Sequence, residues 1–141
     1  MIWFRKYSVE ELNGRPQNHL GALLEIEFTA IGDDFLEARM PVNKKTRQPY
    51  GILHGGASVV LAESLGSVAS NMCVDDQKLI GVGLEVNANH LRPVSSGFIT
   101  GTCKPLHIGA KTHVWEIKMT NDKGKMNCIS RLTVAIISQK Q

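Results

Sequence analysis

The chain has 141 residues, a length that suits one domain and is too short for two. Hydrophobic residues make up 43% and charged residues 21%, as in an ordinary folded domain, which excludes a disordered tail, a collagen-like repeat and a disulfide scaffold. The 16 Lys and Arg residues against 13 Asp and Glu residues leave a net charge of +3, which is too mild to indicate a nucleic acid partner.

The cysteines and the apolar segments bear on the cellular compartment. Cys73, Cys103 and Cys128 form no C-x-x-C pair, and an odd number without that spacing is typical of free thiols in a reducing compartment. The N-terminus has no secretory signal, and the most apolar stretch, residues 57–73, is too short to cross a bilayer. We therefore expect a cytoplasmic protein that has no metal site and binds no membrane.

A short helix and a hairpin are predicted first in the chain. The segment Ser8-Val9-Glu10-Glu11 has the form of a capping box, which predicts a short helix beginning at Ser8. Apolar and polar residues then alternate from Leu24 to Met40, with a break at residues 32–34. This pattern predicts two antiparallel strands joined by a turn, followed by a loop over residues 41–53.

One long helix is predicted from His54-Gly55-Gly56 to about Cys73, because apolar residues recur there at helical spacing. Glu63 is its only charged residue, and a helix that is apolar almost all round is typically buried. The rest of the chain alternates as strands do. The predicted strands cover residues 80–88, 98–104, 111–120 and 126–137.

A single buried helix needs apolar surface around it, and an antiparallel sheet curled about the helix supplies that surface most economically. We therefore predict an α+β fold over residues 1–141, with five to six strands wrapped around one central helix. One sheet cannot cover a whole helix, and its outer strands present open edges. Both features favour pairing with a second copy of the chain.

Glu63 is the strongest candidate for chemistry. A carboxylate in the middle of an apolar helix is costly to desolvate unless it is hydrogen-bonded or used, and it suits a general base or a nucleophile. Ser67 follows one turn later on the same face and could hold the carboxylate or a water, with Ser64 as a neighbouring alternative. A structural glutamate that reaches solvent explains the helix position equally well.

The beginning of the long helix is the second candidate. Its first amides have no partner inside the helix and lie at the positive end of the helix dipole, so Gly55 could stabilise an oxyanion. Gln48 and His54 could point to the same place, although a plain glycine-rich junction is an equally ordinary explanation. Eight residues separate Gly55 from Glu63, which is about 12 Å of helix rise. One substrate cannot easily touch both residues of a single chain, so we hypothesise a site shared between two antiparallel copies.

Charged residues after two of the strands could bind phosphates. His90 and Arg92 follow one strand, and His107 lies beside the turn at Gly109. Solvated loop charges account for them as well. The sequence contains no P-loop, serine-hydrolase elbow or metalloprotease motif that would indicate another chemistry.

In combination, these residues resemble the PaaI-like family of hotdog-fold acyl-CoA thioesterases. The likeness is strongest over Gln48-Pro49-Tyr50-Gly51-Ile52-Leu53-His54-Gly55-Gly56-Ala57, followed by Ala62-Glu63-Ser64 and Gly66-Ser67. It extends to Met1-Ile2-Trp3, to residues 87–93 and to residues 114–117.

The resemblance implies the hotdog fold and the hydrolysis of acyl-CoA thioesters, either aromatic ones such as 1,4-dihydroxy-2-naphthoyl-CoA or medium- to long-chain ones. It implies that Glu63 is the base or nucleophile, with Gly55 stabilising the oxyanion. Further implied roles belong to Gln48 and His54 at the thioester and to Ser67, which would position the water or Glu63. The implied substrate- and CoA-binding residues are Ser64, His90, Arg92, His107 and Gly109. No cofactor is implied, and the expected assembly is a homodimer or a dimer of dimers. An acyl-CoA-binding module without turnover and a hydratase on the same fold are the alternatives.

Overall fold

The computed structural model describes residues 1–140, and its six strands form one antiparallel sheet in the order β1-β2-β4-β5-β6-β3. The elements in chain order are α1 (Val9–Asn13), α2 (Leu20–Leu23), β1 (Glu27–Ile31), β2 (Leu36–Pro41), α3 (Gly55–Met72), β3 (Leu79–His90), β4 (Phe98–Ile108), β5 (Thr112–Thr120) and β6 (Met126–Ser138). The long helix α3 packs against β2 to β6. The predicted α+β fold, a sheet wrapped around one central helix, is confirmed.

The N-terminal region confirms the capping box and corrects the first strand. The Ser8 hydroxyl accepts a hydrogen bond from the Glu11 amide at 3.1 Å and begins α1. The strand expected from Leu24 begins only at Glu27, because Leu24 ends the short helix α2. His19 caps that helix, since its Nδ1 accepts from the backbone amide of Ala22 at 3.2 Å. The alternating residues 24–26 therefore precede β1 and do not belong to the sheet.

Two glycines allow α3 to approach the sheet closely. A Cβ on Gly66 of the helix would lie 2.4 Å from Cδ2 of Leu132 on β6, which is closer than atoms can pack. A Cβ on Gly101 of β4 would lie 2.8 Å from a methyl group of Leu65. The core is built on this contact, and Trp3 and Trp115 stack at its edge with ring centroids 6.5 Å apart.

The sheet covers only one face of α3, so the prediction of a fully buried helix is wrong for the single chain. Its inner stripe is buried, whereas an outer stripe is only half-buried. The outer stripe consists of Val60, Glu63, Ser64, Ser67, Val68 and Asn71.

Within residues 1–140, no helix combines the length and the apolar character that a membrane crossing requires.

Strand β3 forms one edge of the sheet, next to β6, and the expected open edge is therefore present. Ile80 and Val82 alternate with inward-facing Gly81 and Gly83, so their side chains project from the convex face, where they are 37% and 45% exposed. The pairing with β6 is interrupted by a bulge between Gly83 and Glu85.

All three cysteines are free thiols, as expected, and burial raises the pKa of Cys73 to about 11.

A buried polar cluster joins α3 to β5. Ser70 Oγ accepts from the Trp115 indole Nε1 at 2.7 Å and lies 3.1 Å from Nδ1 of His113. The indole can only donate, so the Ser70 hydroxyl keeps its own proton, which it can donate to His113 in the tautomer whose Nδ1 is unprotonated. Burial lowers the pKa of His113, and a hydrogen bond with the backbone of Gly109 partly opposes this effect.

We expect acid to destabilise the fold through His113. An unfolded histidine titrates near pH 6.5, and folding lowers the pKa of this one, so its contribution to stability is complete above about pH 6.5. As the pH falls below that value, the unfolded state takes up the proton first and the contribution is lost. Urea unfolding between pH 8 and pH 5 should therefore show a decrease in unfolding free energy that His113→Gln reduces. The control His19→Asn, which keeps a capping side chain at an exposed position, should retain it.

Candidate active site

The N-terminus of α3 is held in shape by His54. Its Nδ1 accepts from the Gly56 amide at 2.8 Å, which leaves Nε2 as the protonated nitrogen of the neutral ring. The Gly55 amide has no acceptor inside the helix and lies at the positive end of the helix dipole. A Cβ on Gly55 would lie 2.8 Å from Nε2 of His90, so only glycine fits there without displacing that ring. The segment thus leaves the Gly55 amide and the His54 Nε2–H as donors without an acceptor in the described part of the chain.

The preceding loop folds back so that Gln48 is held beside the helix. The backbone amide of Gln48 donates to the Ile52 carbonyl at 2.8 Å, and the backbone carbonyl of Gln48 accepts from the Gly51 amide at 3.0 Å. Gly51 has a φ of +85°, which favours glycine in this tight turn. The Gln48 side-chain oxygen accepts from the backbone amide of Tyr50. Because that oxygen is engaged, the side-chain NH₂ group is available as a donor.

Gln48 and Gly55 line a cavity of about 500 Å³, which we call the helix cavity. Its other walls include Ser58 of α3, His90 and Arg92 at the end of β3, and Asn127 at the beginning of β6. The cavity therefore brings together four of the residues singled out in the sequence. It also adds Ser58 and Asn127, which the sequence analysis missed because their proximity depends on the tertiary fold.

Glu63 lies on the outer stripe of α3 at the edge of the sheet. A Cβ on Gly83 of β3 would lie 2.6 Å from its Oε1, so a glycine in the edge strand makes room for the carboxylate. The side chain is half-buried, which corrects the expectation of full burial. Among the residues that the structure describes, Glu63 has no ion-pair partner. Its carboxylate is thus accessible on the open side of the helix.

Asn71 fastens this part of α3 to the edge strand. Its Oδ1 accepts from the Gly81 amide at 2.9 Å, and its Nδ2 donates to the Gly81 carbonyl at 3.3 Å. The same Nδ2 donates to the Ser67 carbonyl at 2.8 Å. Asn71 thereby occupies both outward backbone groups of Gly81, as a neighbouring strand would. Its position, four residues after Ser67 and eight after Glu63, was a signal in the sequence that we did not use.

A second cavity, of about 180 Å³, lies between the outer stripe of α3 and the hairpin, and we call it the hairpin cavity. Ile26, Phe28 and Val68 supply apolar walls. Polar groups come from Ser64, Ser67 and His19. The two serines predicted to lie beside Glu63 thus face a different cavity from Gln48 and Gly55.

The predicted CoA-binding residues do not come together in one chain. His90 pairs with Cys128 of β6, whereas the turn that holds Gly109 precedes Thr112, which is registered with Ala135 of β6. Seven residues along a strand span about 23 Å, so the two groups lie at opposite ends of the sheet. His90 and Arg92 therefore form one group and His107 and Gly109 another, because the order of the strands separates them within a single chain.

Comparison with known proteins gives a consistent match. Residues 50–128 match the model of the thioesterase superfamily. The chain is 52% identical over 137 residues to 1,4-dihydroxy-2-naphthoyl-CoA hydrolase of Escherichia coli K12, covering 97% of this chain and 100% of that protein.

Solved structures show the same similarity in three dimensions. A mutant thioesterase from Pseudomonas aeruginosa superposes with a TM-score of 0.97 at 50% identity, covering 99% of this chain and 100% of that one. A thioesterase from Haemophilus influenzae superposes with a TM-score of 0.95 at 42% identity, covering 100% and 98% respectively. The architecture around α3 is thus shared with these proteins over nearly their whole length.

We expect Asn71→Ala to lower the unfolding free energy by about 1–3 kcal/mol, because it leaves the amide and carbonyl of Gly81 without their partner. Urea denaturation measures the change. The control is Asn87→Ala, since the Asn87 side chain is exposed and hydrogen-bonds only to the Glu85 carboxylate. Equal stability of the two variants would show that the Asn71 bonds do not fasten the helix.

Proposed function

This chain belongs to the thioesterase superfamily, and on that premise we propose that it hydrolyses aromatic or medium- to long-chain acyl-CoA thioesters to the free acid and CoA. Thioester hydrolysis is the chemistry of its relatives. The substrate named for the Escherichia coli relative, 1,4-dihydroxy-2-naphthoyl-CoA, makes a fused-ring aromatic acyl group the first candidate. The observation that carries the proposal is that one helix has both a free backbone donor, the Gly55 amide, and a carboxylate without an ion-pair partner, Glu63.

The hairpin cavity supports an aromatic acyl group. An apolar cavity of about 150 Å³ is large enough to bind benzene, and this one measures about 180 Å³ before any second copy adds a wall. Phe28 and Val68 offer apolar contacts to a ring. Ser64 and His19 could pair with hydroxyl groups on that ring. A linear acyl chain offers no hydroxyl group to these side chains.

A homodimer would complete the site. The Gly55 amide and the Glu63 carboxylate belong to one rigid helix and start about 12 Å apart along its axis. Glu63 lies at the open edge of β3, so a second copy pairing antiparallel along that edge would bring its own α3 beside the first. We propose that each site combines Glu63 of one copy with Gln48, His54 and Gly55 of the other.

The same antiparallel pairing explains the dispersed CoA residues. It places the Leu79 end of one β3 beside the His90 end of the other, and the turn at Gly109 lies near the Leu79 end of its own sheet. His90 and Arg92 of one copy would then meet residues 107–109 of the second. The apolar side chains of Ile80 and Val82 on the convex face offer a surface on which two dimers can pack.

The proposed mechanism uses only groups of the chain and water. The Gly55 amide, the Gln48 NH₂ group and the protonated Nε2 of His54 would stabilise the negative charge on the thioester oxygen. Glu63 would either take a proton from the attacking water, positioned by Ser67, or attack the carbonyl itself and form an anhydride that water then hydrolyses. In both routes CoA leaves as the thiolate and regains a proton. We propose that no metal or redox cofactor takes part and that the enzyme acts in the cytoplasm.

We expect Glu63→Gln to lower kcat about 100- to 10,000-fold with little change in stability, because the amide fills the same space beside Gly83 but cannot accept a proton. Thiol release from 1,4-dihydroxy-2-naphthoyl-CoA, benzoyl-CoA and lauroyl-CoA measures the effect and ranks the acyl groups. Glu10→Gln, on the exposed face of α1, is the matched control.

Two results would contradict this proposal. If Glu63→Gln hydrolysed all three substrates as fast as the wild type, Glu63 would not be the base or nucleophile. If the wild-type chain bound acyl-CoA tightly without releasing thiol, it would be a binding module.

Mixing two inactive variants tests the shared site. In a dimer of one Glu63→Gln chain and one chain carrying Gln48→Ala with His54→Ala, one site contains only wild-type residues and the other contains all the substitutions. We expect an equal mixture, unfolded and refolded together, to recover about a quarter of the wild-type turnover, since half of the dimers are mixed and each has one intact site. Turnover no higher than the average of the two parents would place the whole site in one chain.

A further inference from the structure

Gly21 is a glycine in a place where the backbone does not require one. It lies inside the four-residue helix α2, and its φ is outside the left-handed region that favours glycine. A Cβ on Gly21 would have three nearest neighbours, all of them side-chain atoms: Nδ1 and Cε1 of His19 at 3.3 and 3.4 Å, and Cδ1 of Ile26 at 3.9 Å. Because glycine weakens a helix relative to alanine, its presence in α2 calls for another explanation.

The position of Gly21 on the hairpin cavity supplies that explanation. Gly21 lines this cavity together with His19 and Ile26, the two residues that its Cβ would contact. The missing side chain would therefore stand among the side chains that form the cavity wall. Gly21 is only half-buried and His19 is exposed, so this wall can be reached from outside the protein. The absence of a side chain at Gly21 thus keeps one corner of the hairpin cavity empty.

The α3 side of the hairpin cavity connects it with the proposed chemistry. Ser64, Ser67 and Val68 form this side of the cavity. They belong to the outer stripe of α3, which also contains Glu63. The cavity therefore lies next to the carboxylate that is proposed to act on the thioester, and it is the space into which the acyl group of that thioester would extend.

The volume of the hairpin cavity shows what a methyl group at position 21 would change. The cavity measures about 180 Å³. A methyl group takes up roughly as much space as a water molecule, about 30 Å³. Alanine at position 21 would thus reduce the cavity to about 150 Å³, the size that accepts a single benzene ring. Glycine leaves room for an acyl group larger than one ring.

We propose that Gly21 sets the depth of the acyl pocket and thereby selects a two-ring aromatic acyl group over a one-ring group. Gly21 is then a specificity-determining residue that acts through the side chain it lacks. The wall that it forms belongs to α2, on the side of the cavity away from Glu63 and the rest of α3. This inference rests on the proposed thioesterase function, which the experiment tests separately.

The test compares 2-naphthoyl-CoA with benzoyl-CoA, which differ by one ring. Neither acyl group has a hydroxyl, so hydrogen bonds from His19 or Ser64 do not enter the comparison. We expect the wild type to have the higher kcat/KM for 2-naphthoyl-CoA. Gly21→Ala should lower the ratio of the two kcat/KM values about 10-fold, and Gly21→Val, which adds two more methyl groups, should lower it further.

Stability measurements and a matched variant separate pocket size from folding. The unfolding free energy of Gly21→Ala in urea should be equal to or higher than that of the wild type, because alanine favours the helix. The control is Leu23→Ala on the same helix, since Leu23 is 63% exposed and does not line the hairpin cavity. Leu23→Ala should keep the wild-type ratio of the two substrates.

Several results would overturn the inference and leave the proposed function standing. If Gly21→Ala kept the wild-type ratio, or if the wild type preferred benzoyl-CoA, Gly21 would not select a two-ring group. If Gly21→Ala slowed both substrates by the same factor or lost stability, the fold itself would need the glycine. If the wild type hydrolysed neither of these thioesters, nor 1,4-dihydroxy-2-naphthoyl-CoA, nor lauroyl-CoA, the proposed function would fail.

Discussion

The close contact between α3 and the sheet is the constraint on which the rest of the structure depends. Gly66 lies against Leu132, and Gly101 lies against Leu65, at separations that leave no room for a methyl group. Packing at this density fixes the rotation of the helix about its axis, since any other rotation would place a larger side chain in these contacts. That rotation directs Glu63 to the edge of the sheet. The position of the carboxylate is therefore a consequence of two glycines that have no chemical role.

The contact between α3 and the sheet leaves three features of the single chain incomplete, and one second copy of the chain could complete all three. The outer stripe of α3 is only half covered, the edge of β3 is open, and Gly55 lies about 12 Å from Glu63 along the axis. All three lie on one side of the molecule. A second copy at this edge would cover the stripe, pair the strand and bring the two ends of the site together. Asn71 already occupies the outward groups of Gly81, so the remaining free edge lies toward His90.

The sequence predicts the local features well and the long-range ones poorly. Alternation predicts β2 to β6, and residue type singles out Glu63 as a candidate, because a carboxylate in an apolar helix is exceptional. The strand start at Leu24 is wrong because the histidine that caps α2, His19, is a weak signal beside a continuing alternation. The apolar residues of α3 lie on both faces of the helix, whereas the sheet of the same chain buries only one of them. The separation of His107 from His90 depends on the order of the strands, which no local pattern contains.

Unpaired polar groups distinguish the proposed site from the rest of the interior. Elsewhere most of the buried polar side chains are paired: Ser70 with Trp115, Thr46 with the Pro41 carbonyl, and Ser130 with the Asn87 carbonyl. At the proposed site, by contrast, the Gly55 amide and the Glu63 carboxylate have no hydrogen-bond partner within the described part of the chain. A fold that satisfies its polar groups so consistently gains no stability from these exceptions. Groups left unpaired in a free enzyme can bind a substrate without first breaking bonds within the protein, which is the role proposed for these two.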